Sequence, residues 1–99
     1  MMLGINIDTF YEIMLKAEKL KIGVSRVVRN MIFKWHKAGA PFDESELPRN
    51  SPKEHNIYTN RQDEEKIRGI LEKTGLYHWQ MVEAARIWEK TGGNINESI

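Results

Sequence analysis

The first twenty residues change from the apolar spacing of a strand to that of a helix. Residues 3–7 have an apolar residue at every second position, which is the period of a strand with one buried face. Asp8 or Thr9 is placed to cap a helix, and apolar residues then recur at three- and four-residue spacing. This helical stripe comprises Phe10, Ile13, Met14, Ala17 and Leu20.

A second helix is predicted after a short turn. Gly23 interrupts the first stripe, and Ser25 is of a type that caps helices. The second stripe comprises Val27, Val28, Met31, Ile32 and Trp35. Lys37 suits a last helical turn, where a positive charge complements the dipole, and the Gly-Ala-Pro sequence of residues 39–41 ends the pattern.

The rest of the chain repeats this order after a linker. All three prolines lie within residues 40–55, as is typical of a semi-extended linker. We predict a second strand within residues 56–60, helices over residues 63–74 and 79–91, and a frayed tail over residues 93–99. An offset of 52 to 54 residues superposes the halves, with slippage in the turns. An internal duplication and an unrelated helical hairpin both remain open.

Composition and charge narrow the class of protein. Hydrophobic residues make up 40% of the chain and charged residues 29%, as in an average globular domain. The absence of Cys excludes disulfides and thiolate metal sites. The chain begins without the pattern of a signal peptide, and no apolar run is long enough to span a bilayer. We therefore expect a cytoplasmic protein (host cytoplasm if viral) with no membrane partner.

The charge is unevenly distributed. Residues 1–39 hold seven Lys and Arg against three Asp and Glu, whereas residues 51–99 hold seven against eight. A basic N-terminal module suits a polyanionic partner, although an excess of this size is also common in proteins that bind no nucleic acid.

Residues 1–39 combine the order strand, helix, short turn and helix with the segment AEKLKIGVSRVVRNMI at residues 17–32. In both features they resemble the ribbon-helix-helix family of DNA-binding regulators, whose frame this segment follows without a gap. Lys21 stands where the family has Gly, and Gly23 where it has its first Ser. Residues 56–92 resemble the family more weakly. The whole chain is similar to tandem versions found among plasmid and archaeal-virus regulators.

The resemblance implies a mainly α fold with a short β ribbon, in which two tandem copies form a pseudo-dimer within one chain. The outward face of such a ribbon fits the major groove, which is about 12 Å wide and displays a distinct pattern for each base pair. If the second copy is not genuine, the strand of residues 1–39 would pair between two chains of a homodimer.

The resemblance assigns base contacts to alternate strand residues. They are Met2, Gly4 and Asn6 in the first strand and Asn56, Tyr58 and Asn60 in the second. Asn can bond adenine through two atoms, with about 1–3 kcal/mol of discrimination. Met2 and Gly4 offer little hydrogen bonding, so the first strand contributes less to specificity. The simpler interpretation is that all six residues are solvent-facing.

Phosphate contacts are assigned to the start of each second helix, where free backbone amides attract an anion. In the first copy they are Gly23, Val24, Ser25, Arg26 and Arg29, and in the second copy Tyr77 and His78. The second copy has no basic residue there and would bind phosphate less strongly. The simpler interpretation is a capped helix with solvated arginines.

No other chemistry is predicted. His36, His55 and His78 lie in three separate segments, whereas metal binding needs converging ligands. The three Trp residues fall on or beside apolar helix faces and are expected in the core. The acidic run at residues 63–65 is expected to complement a helix dipole. We therefore predict no enzyme activity, cofactor, metal or small-molecule ligand.

The sequence thus predicts a sequence-specific regulator of transcription that binds double-stranded DNA, acts as a repressor and associates with itself as a homodimer or higher oligomer. Two alternatives remain open. An antitoxin would use its C-terminal half to wrap a toxin, and that half would lack order when free. A helical protein-interaction module would form no strand in residues 1–7.

Overall fold

A computed structural model of the chain describes residues 1–52 and 55–92. The elements, in chain order, are β1 (Met2–Ile5), α1 (Ile7–Leu20), α2 (Val24–Lys37), a short 3-10 helix (Glu44–Glu46), β2 (His55–Tyr58), α3 (Arg61–Thr74) and α4 (His78–Lys90). The predicted class, mainly helical with a short β ribbon, is confirmed, and the order strand, helix, helix occurs twice.

The two strands pair with each other inside the chain. β1 and β2 are antiparallel, with Leu3 opposite Ile57 and Met2 opposite Tyr58. Leu3, Ile5 and Ile57 are buried, so the period of two found in the sequence separates an inner and an outer face. The strand of residues 1–39 therefore has its partner in the second half of the same chain.

Both strands are shorter than the sequence predicted, because an Asn caps the helix that follows each of them. The Asn6 side chain accepts a hydrogen bond from the Thr9 amide at 2.8 Å. The Asn60 side chain accepts one from the Asp63 amide, also at 2.8 Å. The predictions that strand residues extend to 7 and 60, and that Asp8 or Thr9 is the cap, are wrong. Residue 7 is a half-exposed helical residue.

The second helix of each half supplies most of the core. Every member of the predicted α2 stripe is buried, and the same holds for Met81, Val82 and Ala85 of α4. These residues form one apolar cluster with residues from β1, β2, α1 and α3. Neither half encloses its own core, so burial of apolar surface holds the two halves together.

The first helix departs from its predicted stripe. Ile13 and Ala17 are buried as expected, but Met14 and Leu20 are exposed. The cap of α2 was also wrongly assigned, because the helix begins at Val24 with Gly23 as its N-cap. Ser25 instead uses its hydroxyl to bond a residue of β2.

The linker is held to the helices at several points. The Trp35 indole donates a hydrogen bond to the Pro41 carbonyl at 2.8 Å, and the Gln80 amide donates to the Pro48 carbonyl at 3.1 Å. Leu47 is buried, whereas Phe42 is 42% exposed. The predicted frayed tail lies outside the described residues.

One constant offset of 54 residues relates the elements of the two halves. It takes α1 onto α3 at both ends, the start of α2 onto the start of α4, and the capping Asn6 onto Asn60. It also takes Lys21 onto Gly75, and both residues have left-handed backbones, with φ of 58° and 72°. The slippage in the turns that the sequence predicted is absent from these elements.

Candidate nucleic-acid interface

The outward face of the ribbon consists of the side chains opposite the buried ones. Its members are Met2, Gly4, Asn56 and Tyr58. Tyr58 is 67% exposed and Met2 is 47% exposed, and they lie opposite each other across the ribbon. Asn56 is also exposed. Solvent can therefore reach three of the six residues that were assigned to base contacts, on one face.

Gly4 is covered, contrary to its prediction as an open outward position. Its amide donates a hydrogen bond to His78 Nδ1 at 3.1 Å. A Cβ at residue 4 would lie 3.4 Å from the His78 ring and 3.5 Å from the Pro52 carbonyl oxygen. These are ordinary van der Waals distances, so the linker and α4 pack over Gly4 without a clash that would require glycine. The cover leaves the Met2–Tyr58 end as the open part of this face.

Asn6 and Asn60 lie beyond the ends of the strands, so their predicted position as outward strand residues is wrong. Asn6 uses both ends of its side-chain amide, since it also donates from Nδ2 to the Glu83 carboxylate at 2.9 Å. The Thr9 hydroxyl donates to the same carboxylate oxygen. Asn60 is exposed beside the start of α2.

The start of α2 lies next to the open end of the ribbon. The Ser25 hydroxyl donates to the Tyr58 carbonyl at 2.9 Å, and Arg26 is exposed. Gly23 provides no side-chain cap, so the first amides of α2 are without one. A polar groove of about 370 Å³ adjoins this helix start and is lined by Ser25, Arg26, Arg29, Thr59, Asn60, Gln62 and Asp63.

Arg29 is engaged in an ion pair between the halves. Its Nε lies 2.8 Å from the Asp63 carboxylate, whose side chain is only 10% exposed. Its guanidinium also lies over the Phe33 ring, 5.3 Å from the centroid. Arg29 therefore neutralises the buried carboxylate of Asp63. Its charge is less available to a DNA phosphate for that reason. Asp63, expected only to complement a helix dipole, is the other partner of this pair.

A second polar contact stands in the equivalent place of the other half. The offset of 54 takes Asp63 back to Thr9 and Arg29 forward to Glu83, and these two side chains are also hydrogen-bonded. Each half thus connects the first turn of its first helix to the second helix of the other half. The chemistry differs, with an ion pair on one side and a hydroxyl and carboxylate on the other. Glu83 is also paired with Arg86 at 2.8 Å.

The start of α4 differs from that of α2. Tyr77 is 62% exposed and stacks on Trp79, with ring centroids 4.6 Å apart. The Tyr77 amide donates to the Gln80 side chain at 3.1 Å, so one donor that an anion would need is already used. Burial lowers the pKa of His78 below its usual value, and the ring is a neutral acceptor for the Gly4 amide. Neither Tyr77 nor His78 therefore supplies a positive charge.

The sequence pattern predicted the outward face of the ribbon and the exposed start of α2. It did not predict which side chains bond Gly4 and Asn6. The contacts of Gly4 with His78 and of Asn6 with Glu83 join residues more than 70 positions apart. The only sequence signal for them would have been the constant offset, which places the two halves face to face.

The described residues hold no group of three or more His, Asp or Glu that could bind a metal ion. None of the helices in the described ranges has the length and apolarity needed to cross a membrane. Compared with models of protein families, with curated proteins and with solved structures, the chain matches none of them.

Proposed function

We propose that the chain is a sequence-specific regulator of transcription that binds double-stranded DNA, with two ribbon-helix-helix copies in one chain. The observation that supports this most is the antiparallel ribbon formed within the chain. Its outer face presents Met2, Asn56 and Tyr58 beside the start of α2. A two-stranded ribbon of this kind fits the major groove, where base edges can be distinguished.

In this proposal the exposed end of the ribbon reads the bases. Asn56 offers an amide that can bond adenine at two atoms, Tyr58 offers a hydroxyl, and Met2 offers an apolar contact for a thymine methyl. Gly4 is covered by the linker and Asn6 is bonded to Glu83, so we assign base reading to β2 and the first residue of β1. We expect the recognition to be asymmetric.

The phosphate contacts follow the same asymmetry. At the start of α2 the backbone amides of Gly23, Val24 and Ser25 and the exposed Arg26 form a site for a phosphate. At the start of α4, Tyr77 and the neutral His78 supply hydrogen bonds without charge. We therefore assign most of the electrostatic affinity to the α2 end, with Arg26 rather than Arg29 as its cation.

The experiment that tests the proposal is a titration of the purified chain with duplex DNA from around its own gene, at two salt concentrations. We expect footprinted binding that weakens as salt rises, because each neutralised phosphate releases counterions. A lack of binding to any duplex at low salt would overturn the proposal and favour a protein-interaction module.

Two variants test the assignment of residues. Arg26→Ala should weaken binding to all sequences and reduce the salt slope by about one, whereas Asn56→Ala should reduce discrimination between sequences. Arg68→Ala is the matched control, because Arg68 is an exposed arginine of α3 paired with Glu64. If Arg26→Ala and Arg68→Ala have equal effects, the phosphate site is wrongly assigned.

The alternative functions each meet an opposing observation. An antitoxin would be expected to have a C-terminal half without order, yet Ile67, Met81 and Val82 are buried in the common core. A helical interaction module was expected to have no strand in residues 1–7, yet Met2–Ile5 pairs with β2. Both observations favour the DNA-binding hypothesis.

A further inference from the structure

One face of α1 is apolar and exposed. Tyr11, Met14 and Leu15 follow each other at the spacing of a single helix face, and their side chains are 56%, 42% and 67% exposed. We call these three residues the α1 face. Monomeric soluble proteins rarely expose adjoining large apolar side chains unless they form a binding surface.

The other half of the chain provides an internal comparison. The offset of 54 takes the α1 face onto Glu65, Arg68 and Gly69 of α3. These residues are the charged and small residues of a solvated helix face. Because α1 and α3 occupy equivalent places in the fold, the architecture itself does not require an apolar surface there. Within residues 1–52 and 55–92, the α1 face is left exposed, which favours a partner outside the chain.

We propose that this partner is a second copy of the chain, bound through antiparallel packing of the two α1 helices about a twofold axis. Such an interface is self-complementary, so the same helix supplies both sides. It would cover the exposed apolar side chains of both copies at once. Because it concerns association in the absence of DNA, this inference does not depend on the proposed function.

The charges around the α1 face favour a second copy of the chain as the partner. Asp8 lies at the start of the helix and Lys19 near its end, and both are exposed. In the described part of the chain, neither takes part in an ion pair. Antiparallel packing places Asp8 of one copy opposite Lys19 of the other, twice. Glu18 would lie near the first turn of the opposing helix, where the dipole favours a carboxylate.

The size of the surface sets the expected strength. α1 has 14 residues and is therefore about 21 Å long. One helix face contributes less than the roughly 800 Å² per partner of a standard interface. We therefore expect a weak dimer, with a dissociation constant in the micromolar range or above.

Sedimentation equilibrium without DNA, from low to several hundred micromolar protein, tests this inference. We expect the mass to rise from that of one 11.6 kDa chain towards twice that value. Leu15→Glu should abolish the rise while leaving the circular dichroism spectrum unchanged, since Leu15 is exposed. Glu65→Lys, at the position of α3 equivalent to Tyr11, is the matched control and should have no effect. A chain that stays monomeric throughout, or a dimer unaffected by Leu15→Glu, would overturn the inference.

A charge exchange tests the antiparallel arrangement. Asp8→Lys and Lys19→Asp should each weaken self-association, because each places like charges opposite one another at both ends. An equimolar mixture of the two variants should recover association, since every facing pair is then of opposite charge. Weakening in both single variants with no recovery in the mixture would rule out this packing.

Discussion

At the scale of single residues, a few long-range hydrogen bonds determine which candidate site residues face solvent. His78 shows this most clearly, because its ring accepts the Gly4 amide and covers one end of the ribbon. The bond requires an unprotonated Nδ1, since a protonated nitrogen would have no lone pair to offer. Burial acts in the same direction, as it lowers the pKa of the ring.

This contact predicts a pH-dependent stability. The pKa of His78 is lowered in the folded chain from an ordinary value of 6.5, so the unfolded chain binds the proton more readily. The contribution of His78 is therefore fully present above that value, and the free energy of unfolding falls as the pH drops below it. Chemical denaturation at several pH values between about 7 and 5 measures the slope.

His78→Asn is the control for this prediction. Its amide oxygen lies where Nδ1 was and can still accept the Gly4 amide, but it does not titrate, so the slope in this range should be smaller than in the wild type. The two proteins differ only at residue 78, so the difference between their slopes reports His78. Identical slopes would show that His78 is not the group responsible.

At the scale of elements, the turns between helices are equivalent in backbone but not in residue type. Lys21 is the C-cap residue after α1 and Gly75 is the C-cap residue after α3, and both have left-handed backbones. Glycine adopts this conformation without strain, whereas a residue with a Cβ does so at a cost. The first turn is therefore built with a less suitable residue than the second.

We predict opposite effects of substitution at these two positions. Lys21→Gly should raise the free energy of unfolding by about 0.5–1 kcal/mol, because relief of backbone strain exceeds the added flexibility of the unfolded chain. Gly75→Ala should lower it by about 1 kcal/mol, and no atom lies within 4 Å of the added Cβ to obscure the effect. Denaturant titrations of both variants measure the changes. A loss of stability in Lys21→Gly would contradict the argument.

At the scale of the whole molecule, both halves contribute to one core and one sheet. Val28 of α2 and Val82 of α4 are related by the offset of 54, and both are almost completely buried. The ion pair of Arg29 with Asp63 also joins the halves. Because neither half covers its own apolar face, we expect the two halves to unfold together.

This predicts that matched core substitutions affect a single transition. Val28→Ala and Val82→Ala should each lower the free energy of unfolding by about 2 kcal/mol, from lost burial and the remaining cavity. Circular dichroism and tryptophan fluorescence should give coincident unfolding curves in both variants. Two separate transitions, with Val28→Ala shifting only one, would show that the halves fold independently.

The local patterns of the sequence were sufficient for the helices and for the strand centres. Val27, Val28, Met31, Ile32 and Trp35 are buried as their spacing indicated, because a full helical stripe has only one way to face a core. The ends of the elements were less well determined. From the sequence, Asn6 could either continue the strand or cap the helix. In the structure the first turn of α1 brings the Thr9 amide to the Asn6 side chain, so Asn6 is the cap.

What the sequence determined by itself is thus the order of the elements, the inner and outer positions at the centre of each strand and most of the core, since periodicity alone encodes them. The tertiary structure decided which exposed positions remain open. It placed Pro52 and His78 over Gly4, paired Arg29 with Asp63 and left the α1 face uncovered. These outcomes depend on contacts between residues distant in the chain, which local spacing does not encode.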